Sequence, residues 1–230
     1  MTRCLRILLL AAALSAGLVP TAHAQTGGAA PEAGGAPYAA DGQVALVSRT
    51  DHLLGRLVRF AGRAGGREAG VPITVERFDP LLHTWVAVTT AITGEQGVFA
   101  ARWRADHIGV FRFRAVVTPH GEAQAATASP EVAVTVYKPA VATWYGPGFY
   151  GRRTACGQRM SKHLLGVAHK KLKCGTRVAL FHAGRTITVP VVDRGPFRHG
   201  TDWDLTSATA EALGFTATGT IGAVRLRRSA

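Results

Sequence analysis

One carboxylate stands where acid chemistry could be done. Asp193 closes an apolar run, residues 187–192, that reads as a strand, and Arg194, Gly195 and Pro196 turn the chain directly after it. A carboxyl at the end of such a strand is partly desolvated, which raises its pKa. A raised carboxyl is what a general acid near neutral pH needs. An ion pair with Arg194 would oppose the shift, and the plainer alternative is that Asp193 only caps the turn. Cys156 and Cys174 are the second pair with chemistry. They are two of the chain's three cysteines, and Cys4 lies in an apparent leader. In an oxidising compartment an even pair predicts a disulfide. It would stabilise the fold by roughly 3 kcal/mol in the loop-entropy view. No CxxC or HxxxH spacing supplies a metal site, and nothing calls for a cofactor.

The leader has the anatomy of a secretory signal. Arg3 and Arg6 precede an apolar stretch, residues 7–19, and Ala22-His23-Ala24 is a small-x-small cleavage site. The expectation is a signal peptide over 1–24 and an exported protein, periplasmic or extracellular, without a membrane anchor after cleavage. The stretch is shorter than the ~20 residues of a spanning helix.

The elements that must position Asp193 come next. Residues 25–42 are rich in Gly, Ala and Pro and read as a flexible linker. Seven short β-like runs follow, at 44–47, 56–60, 73–78, 85–89, 98–103, 110–117 and 132–137. Their alternation and turn signals predict an immunoglobulin-like β-sandwich over 43–138, serving as a spacer or wall-adhesion module. Trp85 and Trp103 are read as packing residues. Lys138-Pro139-Ala140 reads as a hinge. Over 141–228, further runs at 141–145, 164–168, 177–181, 186–192 and 223–226 predict a small closed barrel. It carries one short helix, 207–213, with Thr206 as N-cap and Gly214 at its C-terminal end.

Charge separates the halves. Residues 25–140 hold 11 Lys/Arg against 10 Asp/Glu, whereas 141–230 hold 14 against 4. The second half therefore favours a polyanionic neighbourhood. For an exported protein that points to anionic wall polymers or to other wall enzymes. No RNP-like strand or recognition helix supports nucleic acid.

The order WYGPGFYGRRTACGQ, GVAHKKLKCGTRV, VVDRGPF and WDLTSATAEALGF resembles the rare lipoprotein A (RlpA-like) family of double-psi β-barrels. This family is related to expansins and to some lytic transglycosylases. The resemblance covers about residues 142–227 and implies a six-stranded double-psi β-barrel with one short helix there; the sandwich plays no part in it, and the two together make the expected chain all-β. The resemblance also implies an endolytic lytic transglycosylase that cuts naked glycan strands of peptidoglycan. Asp193 is then the acid, and the muramyl 6-hydroxyl closes on the anomeric carbon to give a 1,6-anhydro product. His169 would hydrogen-bond the acid. Asp204 matches an acidic groove position, with a cap for the following helix as the alternative. Tyr145, Gly146, Phe149, Thr154, Gln158, Arg194 and Phe197 would bind substrate, with Tyr150 as a further aromatic candidate. Arg152, Arg153, Lys170, Lys171 and Lys173 either flank that groove or form a solvated basic face. The chain departs from the family where Ala155-Cys156-Gly157-Gln158 replaces ANGE. Glutamine cannot move a proton near neutral pH, so the alternative is a non-catalytic, expansin-like binding or wall-loosening module. A third reading is a structural partner of another wall enzyme, docked through the sandwich.

Overall fold

The computed structural model describes residues 43–66, 68–117 and 126–226. The signal peptide and linker expected over 1–42 lie outside them. The strands in chain order are β1 (Val44–Ser48), β2 (Asp51–Leu53), β3 (Leu57–Ala64), β4 (Pro72–Asp79), β5 (Thr84–Ile92), β6 (Val98–Arg104), β7 (Gly109–Val117) and β8 (Thr127–Ala128). They continue as β9 (Val132–Tyr145), β10 (Val167–Ala168), β11 (Arg177–His182), β12 (Arg185–Asp193), β13 (Trp203–Thr206) and β14 (Gly219–Arg225), with one helix, α1 (Ser207–Leu213), between the last two.

The N-terminal unit is two β-sheets packed around one core. One sheet is β1-β3-β6, and the other runs β9-β7-β4-β5 with β2 and β8 on its margins. Alternation in β3 and β6 sends Val58, Phe60, Phe99, Ala101 and Trp103 inward. They meet Ile73, Val75, Phe113, Ala115, Val134 and Val136 of the opposing sheet in one core. Phe113 is its centre, with ring centroids 5.0 Å from Phe60 and 5.1 Å from Trp103.

The second unit is a closed ring of six strands, β9-β13-β10-β12-β11-β14 and back to β9. Pairings β9–β13 and β10–β12 are parallel and the others antiparallel. Val167, Val178, Leu180, Val189, Val191, Leu205 and Ile221 fill its interior, and α1 closes it with Ala210 and Leu213. Thr206 caps α1 by accepting from the Thr209 N–H, and Gly214 ends the helix in a left-handed conformation.

The hinge expected at 138–140 is corrected. These residues are the middle of β9, which belongs to the sandwich over its first half and to the barrel over its second. Proline is tolerated there because Pro139 pairs with Gly222 on one side and faces no ladder on the other. A small shared core covers the crossing: Tyr137, Ala179 and Val224, with Leu53 and Phe181 against them. Tyr137 stacks on Phe181 at 5.4 Å and donates its hydroxyl to Asp51 at 2.6 Å. A Cβ at Gly222 would lie 2.7 Å from the Tyr137 Cβ, so the close approach of the two units requires glycine.

Candidate functional site

Four neighbouring strands place one row of residues side by side. Thr143 of β9 is in register with Asp204 of β13, Asp204 with Ala168 of β10, and Ala168 with Asp193 of β12. Residues in register face the same side of a sheet. The row is therefore a floor with a carboxyl on either side of one methyl group. Two strand spacings separate the Asp193 and Asp204 backbones by about 10 Å, and the small Ala168 leaves the gap between them open.

Above this floor lies a cavity of about 550 Å³. Tyr145, Phe149, Trp144 and Phe197 give it aromatic walls, and Arg194, Pro196, Arg198 and Thr218 complete its rim. Phe197 is 86% exposed, Phe149 48% and Trp144 41%. Exposed flat rings around a polar floor suit a ligand with one apolar face and many hydroxyls.

Asp193 is held by three donors. The N–H groups of Ala155 and Arg194 reach Oδ1 at 2.8 Å each, and the Tyr145 hydroxyl reaches Oδ2 at 3.2 Å. Neither oxygen pairs with the Arg194 guanidinium, so the ion pair weighed from the sequence does not form. Asp204 accepts from the Thr143 hydroxyl at 2.8 Å. Burial pushes its carboxyl above the ordinary 3.8, the Thr143 bond opposes this, and the Asp193 charge adds to it. Burial, with Asp193 beside it, likewise raises the Tyr145 phenol, which stays a neutral donor. Asp204 does not cap α1; Thr206 does.

The donor at Ala155 is set by its loop. Cys156 is bonded to Cys174, with Cα atoms 5.6 Å apart, which ties this loop to the turn before β11. Gln158 anchors it from the other side. With its amide oriented to suit its neighbours, Nε2 donates to the carbonyls of Cys156 and Val192 at 3.2 Å and to Thr154 Oγ1 at 3.0 Å. The Val192 carbonyl is one residue from Asp193. Gln158 and buried Thr154 thus brace the floor from behind and do not line the cavity, unlike the substrate contacts expected of them. Gly146 is also behind the wall. A Cβ there would meet Ser207 at 2.7 Å and the Tyr150 hydroxyl at 3.0 Å.

His169 differs most from expectation. Its backbone N–H donates to the Asp193 carbonyl at 3.2 Å, but the imidazole does not reach the carboxyl. Successive residues on a strand face opposite ways, and Ala168 takes the groove side. Nδ1 accepts from the N–H groups of Lys171 and Leu172 at 3.0 and 2.9 Å. The ring lies 4.4 Å from Trp203 and lines a separate cavity of about 190 Å³ with Asp202 and Lys138. Burial holds its pKa below the ordinary 6.5; Asp202 opposes that, and Arg194, Lys170 and Lys171 reinforce it.

Residues 138–225 match a double-psi β-barrel family model described as "Lytic transglycolase". A Synechocystis sp. protein named "Probable endolytic peptidoglycan transglycosylase RlpA" is 44% identical over 91 residues, which is 39% of this chain and 28% of that protein. The Campylobacter jejuni protein named "Endolytic peptidoglycan transglycosylase RlpA" is 38% identical over 91 residues, 39% of this chain and 33% of its own length. Over residues 138–225 the barrel is similar in sequence to the RlpA-like double-psi β-barrels. The chain spans about a third of the length of these relatives, and the sandwich has no counterpart in the matched stretch. Among solved structures, the CARDB domain of a Pyrococcus furiosus protein covers 41% of the chain at 15% identity, with a TM-score of 0.26, too low to build on.

Within the RlpA-like barrel, sequence reasoning passed over Trp144, Ala168, Thr143 and Arg198. Trp144 stood in the quoted WYGPG stretch, and its exposed ring was the available signal. Ala168 carries no chemistry and becomes visible only through register.

Proposed function

We propose that the protein is an exported cell-wall enzyme, an endolytic lytic transglycosylase acting on peptidoglycan glycan strands freed of peptide. The observation that carries this is the register row, with Asp193 and Asp204 flanking Ala168 beneath a groove walled by aromatic rings. The names of the RlpA relatives support the substrate and the reaction class. The apparent signal sequence over 1–24 supports export, and the sandwich over 43–138 would hold the barrel, 141–228, at the wall.

In the proposed reaction the sugar faces stack on Trp144, Phe149 and Phe197. Asp193 gives a proton to the glycosidic oxygen as the bond to the muramyl anomeric carbon breaks. The muramyl 6-hydroxyl then adds to that carbon and returns its proton to Asp193, so water is not consumed. Two neighbouring carboxyl groups resist ionising together. Asp204, raised by burial and further by the Asp193 charge, holds a proton more readily than an ordinary aspartate. Because the nucleophile belongs to the substrate, a second catalytic carboxylate at position 158 is not required, and the bracing role of Gln158 is compatible with turnover.

The test is to incubate mature protein with peptide-free glycan strands and identify the new chain ends by mass spectrometry. The expected result is 1,6-anhydromuramyl ends. Reducing ends would mean hydrolysis instead, and strands bound but uncut would mean an expansin-like binder.

A further inference from the structure

The groove contains two cations, half-buried Arg194 and exposed Arg198, that no carboxylate among the described residues claims. Arg194 and Arg198 both line it, on either side of Phe197. Arg194 is half-buried, and the polar contact of its guanidinium among the described residues is the Cys156 sulfur at 4.0 Å. Among the described residues, neither arginine forms an ion pair, although two carboxyl groups lie on the same floor. Those carboxyls are engaged elsewhere: Asp193 with Ala155, Arg194 N–H and Tyr145, and Asp204 with Thr143. A partly desolvated guanidinium without an anion is unfavourable, and its fork of donors matches a carboxylate in two-point contact.

We propose that Arg194 and Arg198 form a subsite for a carboxylate carried by the sugar itself, so that the groove reads whether the strand is free of peptide. The inference rests on the glycan-strand reading above. On such a strand each muramyl residue bears a lactyl ether whose carboxyl is free only when no peptide is attached. Attachment converts it to an amide, which is uncharged and leads into a bulky chain. A free lactyl carboxylate would be drawn to the arginine side of the groove while the ring faces stack on the aromatic walls. Recognition of peptide-free strands would then be a property of two side chains and not of the groove's width alone.

The test compares two soluble strand preparations. One is amidase-treated, with free lactyl carboxylates. The other is the same material with those carboxylates converted to methylamides by carbodiimide coupling. Binding is read by calorimetry and cutting by chain-end analysis, for wild type, Arg198→Gln, Arg194→Gln and Arg198→Lys. Loss of a charge-assisted contact is worth about ten- to a hundredfold in affinity. The expectation is that wild type prefers the free-carboxylate strands by that factor. Both glutamine variants should lose the preference and bind the two preparations alike, and Arg198→Lys should restore part of it. If wild type binds and cuts both preparations equally, the subsite is overturned while the groove reading stands. If wild type binds neither, the groove reading fails and this inference fails with it.

Discussion

The sandwich and the barrel are built from the same kind of strand but use it differently. In the sandwich, each strand spends its alternation on one buried face, and its sheets end in open edges. Among the described residues β5 pairs only with β4, and it carries Val86 and Ile92 exposed. In the barrel the ring closes, so β9 and β10 each have partners on both sides. Pairing of β10 with both β12 and β13 is what brings Asp193 and Asp204, from strands not adjacent to each other, to either side of Ala168, and closure onto β9 adds Thr143 to the row. Packing alone gives a core. Packing with closed register gives a floor on which charges from distant segments converge.

If β9 couples the two units, damage in one should be felt in the other. Phe113→Ala removes the centre of the sandwich core, which should cost about 3–5 kcal/mol. Because β9 is shared, the barrel should melt at the same lowered temperature, seen as one transition by calorimetry and by the near-ultraviolet signal of Trp203. Two separate transitions would mean that β9 does not couple the units.

The Cys156–Cys174 bridge belongs to the barrel alone. Replacing both cysteines with serine should cost about 3 kcal/mol for a loop of this length. It should also lower cutting of glycan strands more than Phe113→Ala does at matched temperatures below both melting points. The reason is that Ala155, the neighbour of Cys156, donates to the Asp193 carboxyl. Chemical denaturation and a strand-cutting assay read the two effects.

Gln158→Glu restores the family residue yet should be harmful here. A glutamate would turn an acceptor toward the carbonyls of Cys156 and Val192, leaving them unpaired at about 1–3 kcal/mol. Reduced stability without a gain in cutting is the expected outcome of urea titration and activity assay.

The smallest effects are in pH. The Asp204 carboxyl is raised in the fold, so its contribution is fully present below 3.8 and is lost as pH rises through its folded value. The melting temperature of Asp204→Asn relative to wild type should therefore increase as pH climbs above 3.8. His169 has the opposite sign. Its pKa is lowered, so its contribution is present above 6.5 and is lost as pH falls through its folded value. The melting temperature of His169→Gln relative to wild type should increase as pH drops below 6.5.

What could be read from the sequence was what local chemistry decides. The seven sandwich runs all appear as strands because their alternation is their own. Helix α1 appears with both caps because Thr206 and Gly214 act within a turn of it. Register was not legible. β13 was missed since Trp203-Asp204-Leu205-Thr206 shows no alternation long enough to detect, and it is a strand because β9 and β10 flank it. β10 proved shorter than the run at 164–168. Asp193 and Asp204 were found by type and motif, but their closeness depends on Ala168, three strands deep in the ring. His169 was assigned to the acid because its motif carries the residue and not the face. One step along the strand turned it to the other side.

The most direct test of the central claim is the Asp193→Asn variant beside wild type on peptide-free glycan strands, with 1,6-anhydromuramyl ends counted by mass spectrometry. Removing a general acid should lower the rate by about a hundred- to ten-thousandfold, while binding to the strands is retained. Wild type should give anhydro ends and the variant essentially none. Equal product from both would contradict it, for the proton would then come from a group other than the carboxyl at the end of β12.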